Sequence, residues 1–460
     1  LRNPNSPLKD ISLVNQQWRA IVLPMLFRNV VWTLESCDQL VAQPSEDSGS
    51  YSDPADKIPV LAFLRANDLG RRVRSLTIIV YRKVVPVVPP EPRPGATGAR
   101  NVSRWGNTAE WKQARFGNPF VDAQAHYGTQ TTTATVYNGD NNWLWRMLFS
   151  VMDPMRLSII ASPQTLARLL SCMVFVGDAD FFSTEERLHI LSLSRDSSST
   201  GSPQPSEPKS SSQVAAPASH KCATEREYIP TALLTIRPWT HLLLNENSSI
   251  RVYKSYHYFD RRPPSILSSL LGWEEAPHNV MMVPSTITTF SYIAIFPLAT
   301  QFSMIVYRLP RIENLYLQLV PRNDILLDKT EMDHVNASDL WLERNSCYEL
   351  VMRNMLKPAT APSLNSNNTN NNGGDDEDNE DDGDQDGHDE NDAMDARPGR
   401  TYNWQHLCKL ETGDLADREA WLDAVEWVEE SRSGWRVERD GVFVKGPVPT
   451  EFADDGPLLV

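Results

Sequence analysis

Residues 7–32 read PLKDISLVNQQWRAIVLPMLFRNVVW. Leu8, Ile11, Val14, Trp18 and then Ile21 and Val22 recur at steps of three and four. That spacing lays one apolar stripe along a helix, with Lys9, Asn15, Gln16 and Arg19 off it. Proline forfeits a backbone donor and clashes with the preceding turn, so Pro24 is expected to end this helix. It suits the first turn of a short second helix carrying Leu26 and Phe27. A stripe this apolar requires a cover, from its own chain or from a partner.

The same residues carry a resemblance. Leu8, Ile11, Ser12, Leu13, Val14, Asn15, Trp18, Arg19 and Ile21, then Pro24, Leu26 and Phe27, resemble the second half of an F-box. The F-box is the adaptor-binding module of cullin–RING ubiquitin ligases. The opening Leu-Pro helix of that family is absent, and the chain begins at Leu1 without an initiator Met. The expectation is a fragment with a divided F-box, or a degenerate module. The alternative is a plain amphipathic core helix. The resemblance implies that Leu8, Ile11, Leu13, Val14, Trp18, Leu23, Leu26 and Phe27 contact a Skp-type adaptor or pack the F-box core.

Downstream, one pattern recurs: aliphatic-x-x-Leu-x-Leu/Ile. It occurs at Val73/Leu76/Ile78, Leu188/Leu191/Leu193 and Ile312/Leu315/Leu317, with a looser copy at Ile287/Phe290/Tyr292. The last two copies start 25 residues apart, inside the roughly 20–29-residue period of leucine-rich repeats. Each copy offers a short strand whose apolar face stacks on the next. Buried strands of an unrelated mixed fold fit the pattern equally. The phrases at 69–78 and 309–319, and Arg237-Pro238-Trp239-Thr240 continuing to 263–267, resemble F-box-like families of filamentous fungi. In those families a divergent repeat-like region follows the F-box.

The expected fold class is therefore α/β: N-terminal F-box-like helices, then a divergent leucine-rich-repeat-like body with long disordered insertions. Partial F-box-like helices occupy 1–34, and a first strand and helix unit occupies 57–83. A Pro/Gly/polar insertion follows at 84–140. Repeat-like body resumes at 141–194 and 226–358, around a Ser/Pro linker at 195–225. An Asn and acidic tract fills 359–400, and a C-terminal helix and hairpin occupy 401–446. Within these pieces, helices are expected at 59–67, 143–151, 164–173 (capped by Ser162-Pro163), 266–271, 340–355 and 414–430. Strands are expected at 30–34, 73–80, 157–160, 188–193, 287–292 and 312–319. A hairpin is expected to turn at Asp440-Gly441.

Charge and cysteine content narrow the function classes. The net charge is −15, but 375–395 alone holds 13 acidic residues and no Lys or Arg, leaving about −2 elsewhere. A near-neutral remainder gives no electrostatic case for nucleic acid. Low-complexity acidic sequence cannot bury enough to offset its ordering entropy. The five cysteines, Cys37, Cys172, Cys222, Cys347 and Cys408, have neither metal-ligand nor disulfide-framework spacing, as fits a cytoplasmic or nuclear protein. Residues 276–307 hold no Asp, Glu, Lys or Arg. Pro277, Pro284 and Pro297 interrupt them, so buried strands are expected there and not a membrane span.

Signatures of catalysis are missing from the sequence. There is no phosphate-loop, dinucleotide, HExxH or GxSxG motif. The nine histidines lie far apart, and Asp178-x-Asp180 reads as a solvated turn. No cofactor, metal or catalytic residue is expected. The function expected from the resemblance is a non-catalytic substrate receptor of an SCF-type cullin–RING ubiquitin ligase. It would hold an unspecified protein substrate and bind neither nucleic acid nor membrane. The alternative is a protein-binding scaffold unrelated to ubiquitination.

Overall fold

Five strands of this chain, Ser75–Val80, Arg156–Ala161, His189–Ser194, Thr289–Ile295 and Asn314–Gln318, alternate in burial, with every second side chain inside. Alternation of period two puts all buried side chains on one face of a sheet. The computed structural model describes residues 15–34, 55, 58–80, 135–137, 142–175, 178–182, 188–196, 232–273, 280–322, 324–356, 403–415, 417–431 and 433–446. Leu8, Ile11, Leu13, Val14, residues 84–134, 197–225 and 359–400, and with them the expected insertions, lie outside the described residues.

The strands are β1 (Asn29–Leu34), β2 (Ser75–Val80), β3 (Thr135–Tyr137), β4 (Arg156–Ala161), β5 (Met173–Phe175) and β6 (His189–Ser194). They continue as β7 (His241–Ser248), β8 (Thr289–Ile295), β9 (Asn314–Gln318), β10 (Lys409–Thr412), β11 (Trp435–Arg439) and β12 (Val442–Lys445). The longer helices are α1 (Gln16–Leu26), α2 (Pro59–Ala66), α3 (Asn142–Val151), α4 (Pro163–Leu170), α5 (Ala299–Tyr307), α6 (Ala337–Leu356) and α7 (Arg418–Glu430).

Ten strands form one mixed sheet in the order β1-β2-β4-β6-β7-β8-β9-β10-β12-β11, while β3 and β5 pair separately. Sheet order is chain order until the closing hairpin. Neighbours in β1-β2-β4 and in β7-β8-β9-β10 are parallel. Strand β6 runs antiparallel to both β4 and β7.

Two apolar rows cross the sheet. One runs Val30, Leu76, Leu157, Leu193, Leu242, Phe290, Leu315, Leu410 and Phe443. The other runs Trp32, Ile78, Ile159, Leu191, Leu244, Tyr292 and Leu317. All four copies of the recurring pattern fall on these rows, and the copy in β6 runs reversed. Leu61 and Leu64 of α2, Leu144 and Leu148 of α3, Leu166 and Leu169 of α4, Phe302 and Ile305 of α5, and Val351 and Met355 of α6 join them in one core. The helices thus cover a single face. The opposite face stays half-open and carries both Ser158 and Ser192, whose hydroxyls lie 2.9 Å apart, and a row of Ile79, Ile160 and Ile190. Buried Trp145, Trp239 and Trp404 each donate an indole N–H to a backbone carbonyl at 2.8 Å, which meets the polar need of a buried indole.

Several expectations are corrected. Pro24 does not end α1, which runs on to Leu26. The proline sits in the last turn, where it forfeits one hydrogen bond and its φ is already helical. Helix α4 stops at Leu170, because Ser171 adopts a left-handed φ of 56°, and Met173 opens β5. Helix α7 starts at Arg418, not at 414, under an Asp417 cap. Within residues 276–307 the expected strand is present as β8, but Ala299–Tyr307, where no helix was expected, is helical. No helix among the described residues is long and apolar enough to cross a membrane.

Candidate functional site

The first candidate is a surface. Asn15 caps α1, its side-chain oxygen accepting the Trp18 N–H at 2.9 Å. The helix has two apolar edges. On one, Val22 is buried and Leu23 and Phe27 pack against the core. The rings of Phe27 and Phe63 of α2 are 5.2 Å apart. On the other, Trp18, Ile21 and Met25 are 50%, 61% and 58% exposed. Steps of three and four put these three on one helical stripe. Val31 of β1, 62% exposed, adds a fourth apolar side chain to this end of the molecule.

Of the residues expected at an adaptor contact, the structure therefore separates two groups. Trp18 faces solvent, while Leu23 and Phe27 hold the helix to the body and Leu26 is half-buried. Met25 is a member of the exposed stripe that the sequence pattern did not single out. Its signal was the heptad step from Trp18, hidden by the assumption that Pro24 broke the helix.

The second candidate is a buried polar cluster at the C-terminal ends of the central strands. A β-bulge lies beside it. Asn245 pairs with Ile293 but Ser248 pairs with Ile295, so β7 carries one extra residue. Asn247 takes a left-handed φ of 69°, a conformation Asn tolerates, and its N–H donates to the Asn245 side chain at 2.9 Å. Glu246 follows Leu242 and Leu244 at steps of two, so strand alternation turns it inward. The Tyr292 hydroxyl donates to its carboxyl at 2.6 Å and the Gln301 amide at 3.2 Å. The Ser265 hydroxyl donates to its other oxygen. With no cation among these partners, burial pushes the Glu246 pKa up to about 7. The antiparallel register pairing Ile190 with Asn245 sets His189 opposite Glu246. His189 is buried and its Nδ1 has no partner; desolvation pushes its pKa down to about 3.

His189, Glu246, Ser265, Tyr292 and Gln301 line a cavity of about 20 Å³. That is space for one water molecule, far below the volume of an organic ligand. A wider groove of about 290 Å³ is lined by Val320, Trp341, Asp414 and Asp417. Both carboxylates there already have structural partners. Asp414 accepts the N–H groups of Leu319 and Val320 at 2.7 and 3.1 Å and the Tyr348 hydroxyl at 2.6 Å. Asp417 takes the buried Arg344 guanidinium at 3.0 Å. Asp178, of the Asp-x-Asp pair, accepts from Arg261 at 3.2 Å and from the Arg262 N–H at 2.9 Å. No His, Cys, Asp and Glu grouping able to hold a metal ion occurs among the described residues. Cys172 and Cys347 are buried, and Cys408 is exposed.

Comparison with protein-family models, with curated proteins and with solved structures gives no match.

Proposed function

We propose that this chain is a non-catalytic protein-binding subunit that brings a protein substrate to an SCF-type ubiquitin ligase through a Skp-type adaptor. The observation carrying the proposal is the solvent-facing stripe of Trp18, Ile21 and Met25 on a helix whose other edge is fixed to the body. Three large apolar side chains in a row on water mark a protein contact. The F-box-like order of residues around them names the partner. The long sheet, laid down in chain order with one face half-open, fits the repeat-like body such receptors place beyond the adaptor contact. Its mechanism is proximity: two proteins held together react at raised effective concentration, with no chemistry from this chain. A scaffold outside ubiquitination would use the same surfaces with another partner on α1.

The two readings part in a pull-down with purified Skp-type adaptor. The chain is expected to capture it. The variant W18A/I21A/M25A is expected to lose at least tenfold in capture with an unchanged melting temperature, because these side chains are exposed. F27A is expected to lower the melting temperature, because Phe27 packs on Phe63. A wild-type chain that leaves the adaptor unbound sinks the ligase proposal and favours the scaffold.

A further inference from the structure

Charge is segregated within the described part of the chain. Residues 15–34, 58–80 and 142–161, which hold β1, β2 and β4, contain eight arginines against two aspartates, Asp68 and Asp153. Asp153 is already taken by Arg195 and Arg237, each at 2.7 Å. Arg28, Arg71, Arg72, Arg74 and Arg156 are all exposed, and none has an acidic partner among the described residues.

These five converge on one edge of the sheet. The Arg74 N–H donates to the Arg28 carbonyl at 2.7 Å, and the Arg156 N–H to the Arg74 carbonyl at 3.0 Å. Arg28 and Arg74 therefore stand just ahead of β1 and β2, whose backbones lie about 4.8 Å apart, and Arg156, the first residue of β4, stands level with Ser75, one residue further along. Arg71 and Arg72 lie in the turn Gly70–Arg72 just ahead of β2. Like charges so close repel and leave a strong local field for an anion.

The opposite charge is in the same chain. Thirteen acidic residues with no Lys or Arg stand at 375–395, between Leu356 at the end of α6 and Asn403. Asn403 donates to the Leu309 carbonyl at 2.9 Å and Trp404 to the Val306 carbonyl at 2.8 Å. Leu309 precedes β9, so the chain re-enters at the N-terminal ends of the parallel strands, the edge that carries the arginines. Five strand spacings separate β9 from β2, about 24 Å at about 4.8 Å each. Residue 385 is eighteen residues back from Asn403, a reach of up to about 60 Å when extended. Tethering also gives the tract a high effective concentration at that edge.

We propose that the arginine edge at the start of β1, β2 and β4 is a docking surface for acidic polypeptide, and that the chain's own 375–395 tract is its occupant. An external acidic segment then binds only by displacing the tract. The proposal is independent of the adaptor reading of α1.

The test uses three versions of the whole chain and a fluorescein-labelled peptide of residues 375–395 at 50 mM NaCl. A chain with the tract's acidic residues changed to Asn and Gln is expected to bind the peptide, as read by anisotropy. The unaltered chain is expected to bind at least tenfold more weakly, its edge being occupied. Adding R71S/R72S/R74S to the neutral-tract chain is expected to remove binding at least tenfold, while R71K/R72K/R74K keeps it within about threefold. Raising salt to 200 mM is expected to weaken binding several-fold. Equal binding by the unaltered and neutral-tract chains overturns the proposal. So does absence of binding to either, or binding that survives loss of the three charges with the fold intact. An RNA oligonucleotide of equal charge that outcompetes the peptide assigns the edge to nucleic acid instead.

Discussion

A methyl group at position 70 would meet a carbonyl. A Cβ on Gly70 would lie 1.8 Å from the Val151 oxygen, and both neighbours are backbone. Gly70→Ala is therefore expected to lower stability by about 1–3 kcal/mol through overpacking, read by denaturant titration. Glu246 and His189 set a second test. Glu246 ionises near 4.5 when unfolded and about 7 when folded. Its contribution is full below pH 4.5 and is lost as pH rises to 7, because the unfolded chain ionises first. His189 has the opposite sense, ordinary value 6.5 and folded value about 3. Its contribution is full above pH 6.5 and is lost as pH falls to 3. Between 4.5 and 6.5 the two slopes oppose each other. Glu246→Gln is expected to gain on wild type as pH rises from 4.5 to 7, and His189→Asn as pH falls from 6.5 to 3. Each slope is about 1.4 kcal/mol per pH unit at most, and melting curves across pH measure it. Parallel wild-type and variant curves would place both groups in water. Neither residue stood out in the sequence. Glu246 looks like part of a polar Asn-Glu-Asn-Ser tail, and only its step of two from Leu244, once β7 is known to be a strand, puts it inward.

Secondary-structure elements show where pattern reading works and where it stops. Strand β2 was legible because Thr77, Ile78, Ile79 and Val80 are all β-branched. Strand β7 was not, since Leu242, Leu243 and Leu244 are consecutive and the polar tail breaks the alternation. Helix α5 was hidden by Pro297 just ahead of it and by apolar residues on most of its circumference. Strand β10 is four residues long, too short for a period to register, and is held by partners on both sides. Long-range pairs escape periodicity altogether, as at the joint of α6 and α7. Asp417 caps α7 by accepting the Ala420 N–H at 3.2 Å and also neutralises buried Arg344. Removing it leaves a buried cation unpaired. Asp417→Ala is expected to cost about 3–5 kcal/mol, and adding Arg344→Met is expected to restore most of that. A double variant no more stable than the single one would mean that the cap, not the charge, dominates.

At the scale of the whole molecule, the mixed α/β class was legible, and the sheet's continuity was not. Pieces at either end of the sequence share one ten-stranded sheet, although residues 81–134, 197–231 and 357–402 intervene between its strands. Four of its strands were legible because each keeps an apolar pair on the same two rows. Charge was misleading on average: a sum of about −2 outside the acidic tract conceals an arginine edge at one end of the sheet. Sums over sequence lose sign separation, and sign separation is what an ionic contact reads.

Strand β6 gives the sheet a modular property. It is antiparallel to β4 and to β7, so β4 and β7 point the same way with one strand between them. Leu157 and Ile159 lie level with Leu193 and Leu191, and these in turn with Leu242 and Leu244. A shorter ancestor or engineered chain without β6 could bring Leu157 against Leu242 and Ile159 against Leu244, with direction and register both conserved. The reversed strand can thus be gained or lost with the direction and register of all other strand pairs intact.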